Sequence, residues 1–173
     1  MICVNQKTLR LAGIKECSFV DGPGLRFTVY TQGCPHKCKG CHNPGTHDPN
    51  GGYDYGIDKL AAEVIKNGYD KITFTGGEPF YQAAALATTA NIIHRKMHAE
   101  ILLYSGYLCE DLLEFAETDP GTRALLTCSN FLIDGKYNED ERDLNLPFRG
   151  SRNQRIFDIT CYPNSKLVRQ IEL

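Results

Sequence analysis

The sequence predicts an α/β fold, a single domain over residues 1–173 built as a partial, open (β/α) barrel on a mostly parallel sheet. Three observations carry this expectation. β-Branched and aromatic runs alternate with stretches of helical period, the order that produces right-handed βαβ units and parallel strands. Unusual loop motifs follow the strands directly, and in such sheets functional groups gather at the carboxyl ends of strands. A chain of 173 residues can bury one sizeable core, yet it falls short of the roughly 250 residues that a closed eight-stranded barrel takes.

A short leading strand at residues 9–14 precedes the turn Asp21-Gly22-Pro23-Gly24. Residues 25–31, LRFTVYT, read as a strand by their β-branched and aromatic content. That strand feeds a cysteine-rich loop and then NPGTHDPNGG, whose prolines and glycines preclude regular structure. Residues 57–67 are helical by period, with Ile57, Leu60, Ala61, Val64 and Ile65 on one face and Gly68 as the stop. Strand 71–75 (KITFT) runs into Gly76-Gly77-Glu78-Pro79, and residues 80–97 form a longer, alanine-rich helix. Strand 100–104 (EILLY) ends at Ser105-Gly106, and helix 108–117 is closed by the turn Thr118-Asp119-Pro120-Gly121. A further turn or two of helix leads to strand 130–133, which ends at Asp134-Gly135-Lys136, and residues 155–159 form a fifth strand.

A hydrophobic share of 42% and a charged share of 23% suggest neither disorder nor a membrane protein, and no apolar run is long enough to span a bilayer. The leading MICVNQKTLRLAG lacks the pattern of a secretory signal. The expected compartment is therefore the reducing cytoplasm, and Cys3, Cys17, Cys109, Cys128 and Cys161 are read as buried small hydrophobes without a role. A net charge of −2, with basic residues spread along the chain, gives no footprint for nucleic acid.

Chemistry concentrates in GCPHKCKGCHN, residues 33–43, where Cys34, Cys38 and Cys41 stand in a C-x-x-x-C-x-x-C array. A structural zinc site takes four closed ligands, and an ordinary iron–sulfur cluster also takes four cysteines. Three cysteines leave one coordination position for something else. His36 or His42 could close a Cys3His zinc site, so on this loop alone zinc, an iron–sulfur cluster and unliganded cysteines all remain open. Gly76-Gly77-Glu78-Pro79 is readable as a tight turn starting a helix. Taken alone the turn is the favoured reading; the other is a stretch of bare backbone that a ligand can approach, with Glu78 as a helix-terminus anion or a ligand contact. Asp134-Gly135-Lys136 is a surface turn or a holder for a zwitterion, with Lys136 facing its carboxylate and Asp134 its cation. His94 and His98, four apart on the predicted helix, read as a solvated face, and His47 receives no role.

Together, DGPGLRFTVYTQGCPHKCKGCHN and TGGEP resemble the radical S-adenosylmethionine superfamily, in its group that activates glycyl-radical enzymes. LIDGKY…LPFRGSRNQRIFD is similar to the small activating proteins of anaerobic (class III) ribonucleoside-triphosphate reductases, and the resemblance runs from about residue 9 to residue 158. It implies an open barrel of the radical S-adenosylmethionine type. It also implies a 4Fe-4S cluster on Cys34, Cys38 and Cys41, its open iron chelated by the amino and carboxylate groups of S-adenosylmethionine. The cofactor neighbours implied are Gly40, Cys41, His42, Gly76, Gly77, Glu78, Ser105, Asp134 and Lys136. Many superfamily members carry an aromatic residue before the last cysteine; Gly40 stands there, as in the reductase-activating branch, which leaves His42 as the nearest ring for the adenine.

The implied reaction is reductive cleavage of the cofactor to methionine and a 5′-deoxyadenosyl radical. That radical takes hydrogen from a glycine of the large reductase subunit, and no catalytic acid or base is needed beyond the cluster and its ligands. The implied partners are that large subunit and a reduced flavodoxin- or ferredoxin-type electron donor, with no nucleic acid and no membrane. Arg149-Gly150-Ser151-Arg152-Asn153-Gln154-Arg155, with three arginines, is expected to dock the reductase. Alternatives are an activase of another glycyl-radical enzyme such as pyruvate formate-lyase, a radical enzyme acting on a small molecule, and a zinc-binding module.

Overall fold

A computed structural model describes residues 7–165 and 168–172; Cys3 lies outside the described residues. The leading strand β1 (Thr8–Ser18) turns at Asp21–Gly24 into β2 (Arg26–Thr31), and β3 (Tyr53–Gly56) follows the cysteine loop. Then come α1 (Ile57–Asn67), β4 (Lys71–Gly76), α2 (Ala83–His94), β5 (Glu100–Tyr104), α3 (Cys109–Thr118), α4 (Pro120–Thr127), β6 (Phe131–Asp134), β7 (Arg155–Asp158) and β8 (Arg169–Ile171). The strands form one sheet in the order β3-β1-β2-β4-β5-β6-β7-β8, open at both edges.

The expected mostly parallel sheet is corrected. β2, β4, β5 and β6 pair in parallel, but β1, β3, β7 and β8 add by antiparallel pairing on the two flanks. The cause lies in the connections. Parallel neighbours need a long crossover, usually helical, and α1, α2 and the α3–α4 pair supply them between the central strands. β1 and β2 are joined by a tight turn, and no α-helix separates β6 from β7, so both pairs fold back.

One face of the sheet packs on the helices. Phe27, Val29, Ile72, Phe74, Ile101 and Leu103 alternate along the central strands and meet Leu60, Leu86, Ile93, Leu112 and Leu125, all buried. The other face carries a smaller cluster of Leu102, Ile133 and Ile156. It also carries the fully buried Arg26, whose guanidinium donates to Thr73 Oγ1 (2.7 Å), Ile72 O (2.8 Å), Pro23 O (3.0 Å) and Glu100 Oε1 (2.8 Å). A buried charge is tolerable only when so fully matched. Gly22 has φ +133°, and a Cβ there would lie 2.8 Å from Arg26 Cδ. The Asp21–Gly24 turn therefore closes over Arg26 at the amino ends of the central strands, opposite the cysteine loop.

α1 has the expected bounds and stops at Gly68 in the left-handed conformation. The long second helix is shorter than expected: Pro79–Gln82 is a 3-10 turn and α2 ends at His94, so His98 is not on it. The scattered cysteines also differ from expectation. Cys109 is buried and Cys128 half-buried, but Cys17 and Cys161 are exposed.

Candidate metal and cofactor site

Four loops leave the carboxyl ends of β2, β4, β5 and β6 and surround a cavity of about 120 Å³. The loop after β2 is held by its backbone. Gly33 N donates to Thr46 O (2.9 Å), Cys34 N to His47 O (3.2 Å) and Cys41 N to Cys38 O (3.2 Å). Gln32 fixes the return of the loop by donating from Nε2 to Gly45 O (2.9 Å) and Asp48 O (2.6 Å). Cys34, Cys38, Cys41 and His42 line the cavity from this side, and among the described residues no three His, Cys, Asp or Glu side chains converge closely enough to hold a single metal ion. Burial pushes the Cys34 thiol pKa up, and the backbone N–H groups of His36 and Lys37 work against that rise.

Gly76 and Gly77 line the cavity after β4, and the backbone needs glycine at both positions. Gly76 has φ +99°, and a Cβ on it would lie 2.6 Å from Thr31 N. One on Gly77 would lie 2.4 Å from Gly33 O. The turn thus lies directly on the start of the cysteine loop, with Gly77 N donating to Thr31 O and Glu78 N to Gly33 O, both at 2.8 Å.

Glu78 is fully buried beneath this turn and does not line the cavity. Its carboxylate accepts from Phe80 N (3.0 Å), Gly106 N (2.9 Å), Ser105 Oγ (3.0 and 3.1 Å) and His36 Nε2 (2.8 Å). One carboxylate therefore ties together the loops after β2, β4 and β5. Gly106 is small for the same reason, since a Cβ there would lie 2.3 Å from the His36 ring. Ser105, which lines the cavity, is fixed by these bonds.

Gly135 and Lys136 line the cavity after β6, and Lys136 is exposed. Asp134 is not part of that lining; it is fully buried, accepting from Cys109 N (2.7 Å) and from Arg155 Nε (3.1 Å) and Nη2 (2.5 Å). Arg155 also grips Glu110 with both terminal nitrogens, at 3.0 and 2.7 Å, and this pairing holds the Glu110 carboxyl below the usual carboxylate range. The segment 149–155, expected to dock a partner, is largely turned inward. Gln154 Nε2 donates to Gly135 O (3.0 Å), Asn153 Nδ2 to Lys136 O (2.8 Å), and Ser151 Oγ accepts from Asn138 N (3.1 Å). It clasps the wall after β6 in place, and Arg152 is the arginine it leaves exposed, at 61%.

The structure thus brings Cys34, Cys38, Cys41, His42, Gly76, Gly77, Ser105 and Lys136 to one cavity, while Glu78 and Asp134 support it from below. Gly40 faces an adjoining groove of about 370 Å³ that shares His42 and Tyr137 with the cavity. Sequence reasoning gave no cavity role to His47, Tyr104, Tyr137 or Gln154 and weighed His36 only as a zinc ligand. Tyr137 and Gln154 carried a signal as parts of the LIDGKY and arginine-rich motifs. As a donor set, three cysteines share the cavity with Gly76, Gly77 and Gly135, a serine and one lysine. That composition fits a cluster with three protein ligands beside a zwitterionic small molecule.

Comparison with known proteins agrees with this donor set. The family model of the 4Fe-4S single cluster domain matches residues 20–157, which include the three cysteines and all four loops. The anaerobic ribonucleoside-triphosphate reductase-activating protein of Vibrio cholerae serotype O1 is 33% identical over 149 residues, covering 82% of this chain and 92% of the relative. The proteins of the same name from Enterobacteria phage T4 and Pasteurella multocida are 32% and 30% identical, covering 85% and 83% of this chain and 92% and 93% of theirs. This chain belongs to the family of anaerobic ribonucleoside-triphosphate reductase-activating proteins. Like its cluster-domain match, the similarity to these activating proteins spans the chain broadly, not the cysteine loop alone. No helix among the described residues is long and apolar enough to cross a membrane.

Proposed function

We propose that this protein is a radical S-adenosylmethionine enzyme with an open-barrel fold of that type, and that it activates an anaerobic ribonucleoside-triphosphate reductase. The observation that carries the reading is the cavity itself, where three thiols from one loop face the ends of three further parallel strands. Bound there, a reduced 4Fe-4S cluster would supply the electron for reductive cleavage of S-adenosylmethionine, and the chemistry so delivered would take hydrogen from a glycine of the reductase large subunit.

The chain's own residues bind and orient. Cys34, Cys38 and Cys41 hold the cluster. The backbone of Gly76 and Gly77 would receive the methionine ammonium, and Lys136 would pair with its carboxylate. Ser105, fixed by Glu78, presents a hydroxyl on the same wall. His42, an exposed residue of the cavity lining, would be the ring that stacks on the adenine. Glu78 and Asp134 act through the groups they hold, since their oxygens are already engaged by protein donors. The electron comes from a reduced flavodoxin- or ferredoxin-type protein. The exposed free thiols of Cys17 and Cys161 suit a reducing cytoplasm.

Anaerobic reconstitution tests the reading. The wild-type chain should take up about four irons, and Cys34→Ala, Cys38→Ala and Cys41→Ala should each abolish uptake, whereas Cys17→Ala and Cys161→Ala should not. Lys136→Ala should keep the cluster but weaken S-adenosylmethionine binding, since a hydrogen bond to a charged group contributes about 1.5–3 kcal/mol. Full iron content in Cys38→Ala would refute the ligand assignment.

A further inference from the structure

Among the described residues, four buried side-chain atoms lack a hydrogen-bond partner: Thr28 Oγ1, His47 Nε2, Arg149 Nε and Asn153 Oδ1. Of these residues only His47 lines the cysteine cavity. Its backbone is pinned on both sides. His47 N donates to Pro44 O and His47 O accepts from Cys34 N, both at 3.2 Å. The ring is thus carried on the same loop as the three cysteines, with its main chain bonded to the first of them. An unmatched buried polar group is costly, and in a native protein such a group calls for a partner.

We propose that His47 Nε2 donates a hydrogen bond to a sulfur of the cluster held by Cys34, Cys38 and Cys41, and thereby raises the reduction potential of that cluster. The inference rests on the cluster reading above. Thiolate and sulfide sulfurs only accept, and they carry the negative charge of the cluster, so the group that complements them is an N–H donor. Hydrogen bonds to cluster sulfurs favour the reduced, more negative state and are one of the levers that set cluster potentials. Lys136 and the glycine carbonyls, which serve the zwitterion, belong to the loops after β6 and β4, whereas His47 belongs to the cysteine side.

The test compares wild type, His47→Phe and His47→Gln after anaerobic reconstitution, by redox titration followed by electron paramagnetic resonance without S-adenosylmethionine. His47→Phe should shift the reduced-to-oxidised ratio about tenfold toward the oxidised form at a fixed poise, about 59 mV for a one-electron couple. His47→Gln, which keeps a donor, should recover most of the shift. An unchanged potential in His47→Phe overturns the proposal, as does weakened cofactor binding with no change in potential, which would assign the ring to S-adenosylmethionine. If His47→Phe takes up no iron, His47→Leu replaces it. Should both lose the cluster while His47→Gln keeps it, the donor is required and the proposal stands; loss in all three overturns it. A wild-type protein that binds no cluster overturns the cluster reading first, which separates the two failures.

Discussion

His36 Nε2 lies 2.8 Å from Glu78 Oε2, and through this contact the cysteine loop is joined to the turn after β4. Both side chains are nearly inaccessible, at 5% and 0%. His36 also packs edge-on against Tyr107 at 4.5 Å, so its ring is wedged between the loops after β2 and β5. The cysteine loop contains no regular secondary structure between β2 and the 3-10 turn Pro44–Thr46, so this side chain compensates for the missing ladder of backbone bonds.

Glu78→Ala should therefore be costly far beyond one lost contact. It strands the donors of Phe80, Gly106, Ser105 and His36, and each stranded buried donor costs about 1–3 kcal/mol. Denaturant unfolding of the cluster-free protein should show a loss of at least about 3 kcal/mol. A variant within about 0.5 kcal/mol of wild type would mean that the turn is held by something else.

Arg155→Ala should destabilise the fold by about 3 kcal/mol, because removing one partner leaves the fully buried Asp134 uncompensated. The Glu110 arm of the same arginine contributes little, being 64% exposed. This replaces the expectation that Arg155 docks a partner. Equal unfolding midpoints for wild type and Arg155→Ala would restore it.

Arg152 keeps the docking expectation alone. It is 61% exposed with a 3.8 Å contact to Asp143. Arg152→Ala should change stability by less than about 0.5 kcal/mol, leave S-adenosylmethionine cleavage with an artificial reductant intact, and reduce radical formation on the reductase. A parallel fall in cleavage and radical formation would remove it from the interface.

Asp119 gives a pH signature. It caps α4 by accepting from Thr122 Oγ1 (2.6 Å), Thr122 N (2.8 Å) and Gly121 N (3.3 Å), and these bonds hold its carboxyl below the usual carboxylate range. A depressed carboxylate contributes stability above its unfolded pKa and loses it as pH falls through the folded one. Asp119→Ala should cost about 1 kcal/mol at neutral pH, and the difference from wild type should shrink as pH drops below the ordinary carboxylate range. A difference that stays constant into that acid range would place the effect outside the carboxylate.

The parts of the fold legible in sequence were those whose own residues decide their state. α1 carries a clean apolar face and a glycine stop, and its bounds, like those of β5, agree with expectation. β3 and β8, of four and three residues at the sheet edges, escaped because their pairing depends on β1 and β7 and leaves little periodicity behind. The antiparallel direction of β7 is a property of the connection before it, not of RIFD itself. In the site, glycines and cysteines were visible because few other residues can do what they do. His47 was not, and His36 was visible only as a possible zinc ligand, since a histidine looks alike in sequence whether it is buried under a loop, set in a cavity wall or solvated. Arg155 misled for a similar reason: it meets Asp134 and Glu110 across 21 and 45 residues of sequence.

The central claim is that the cavity at the strand ends produces a radical for a protein glycine. The most direct measurement mixes the reconstituted, reduced protein with S-adenosylmethionine and the large subunit of the anaerobic reductase, and records the electron paramagnetic resonance spectrum. A glycyl-radical signal should form on the large subunit together with 5′-deoxyadenosine, and both should vanish with Cys38→Ala. A loaded cluster that forms neither product, or a radical signal that survives Cys38→Ala, would contradict the account.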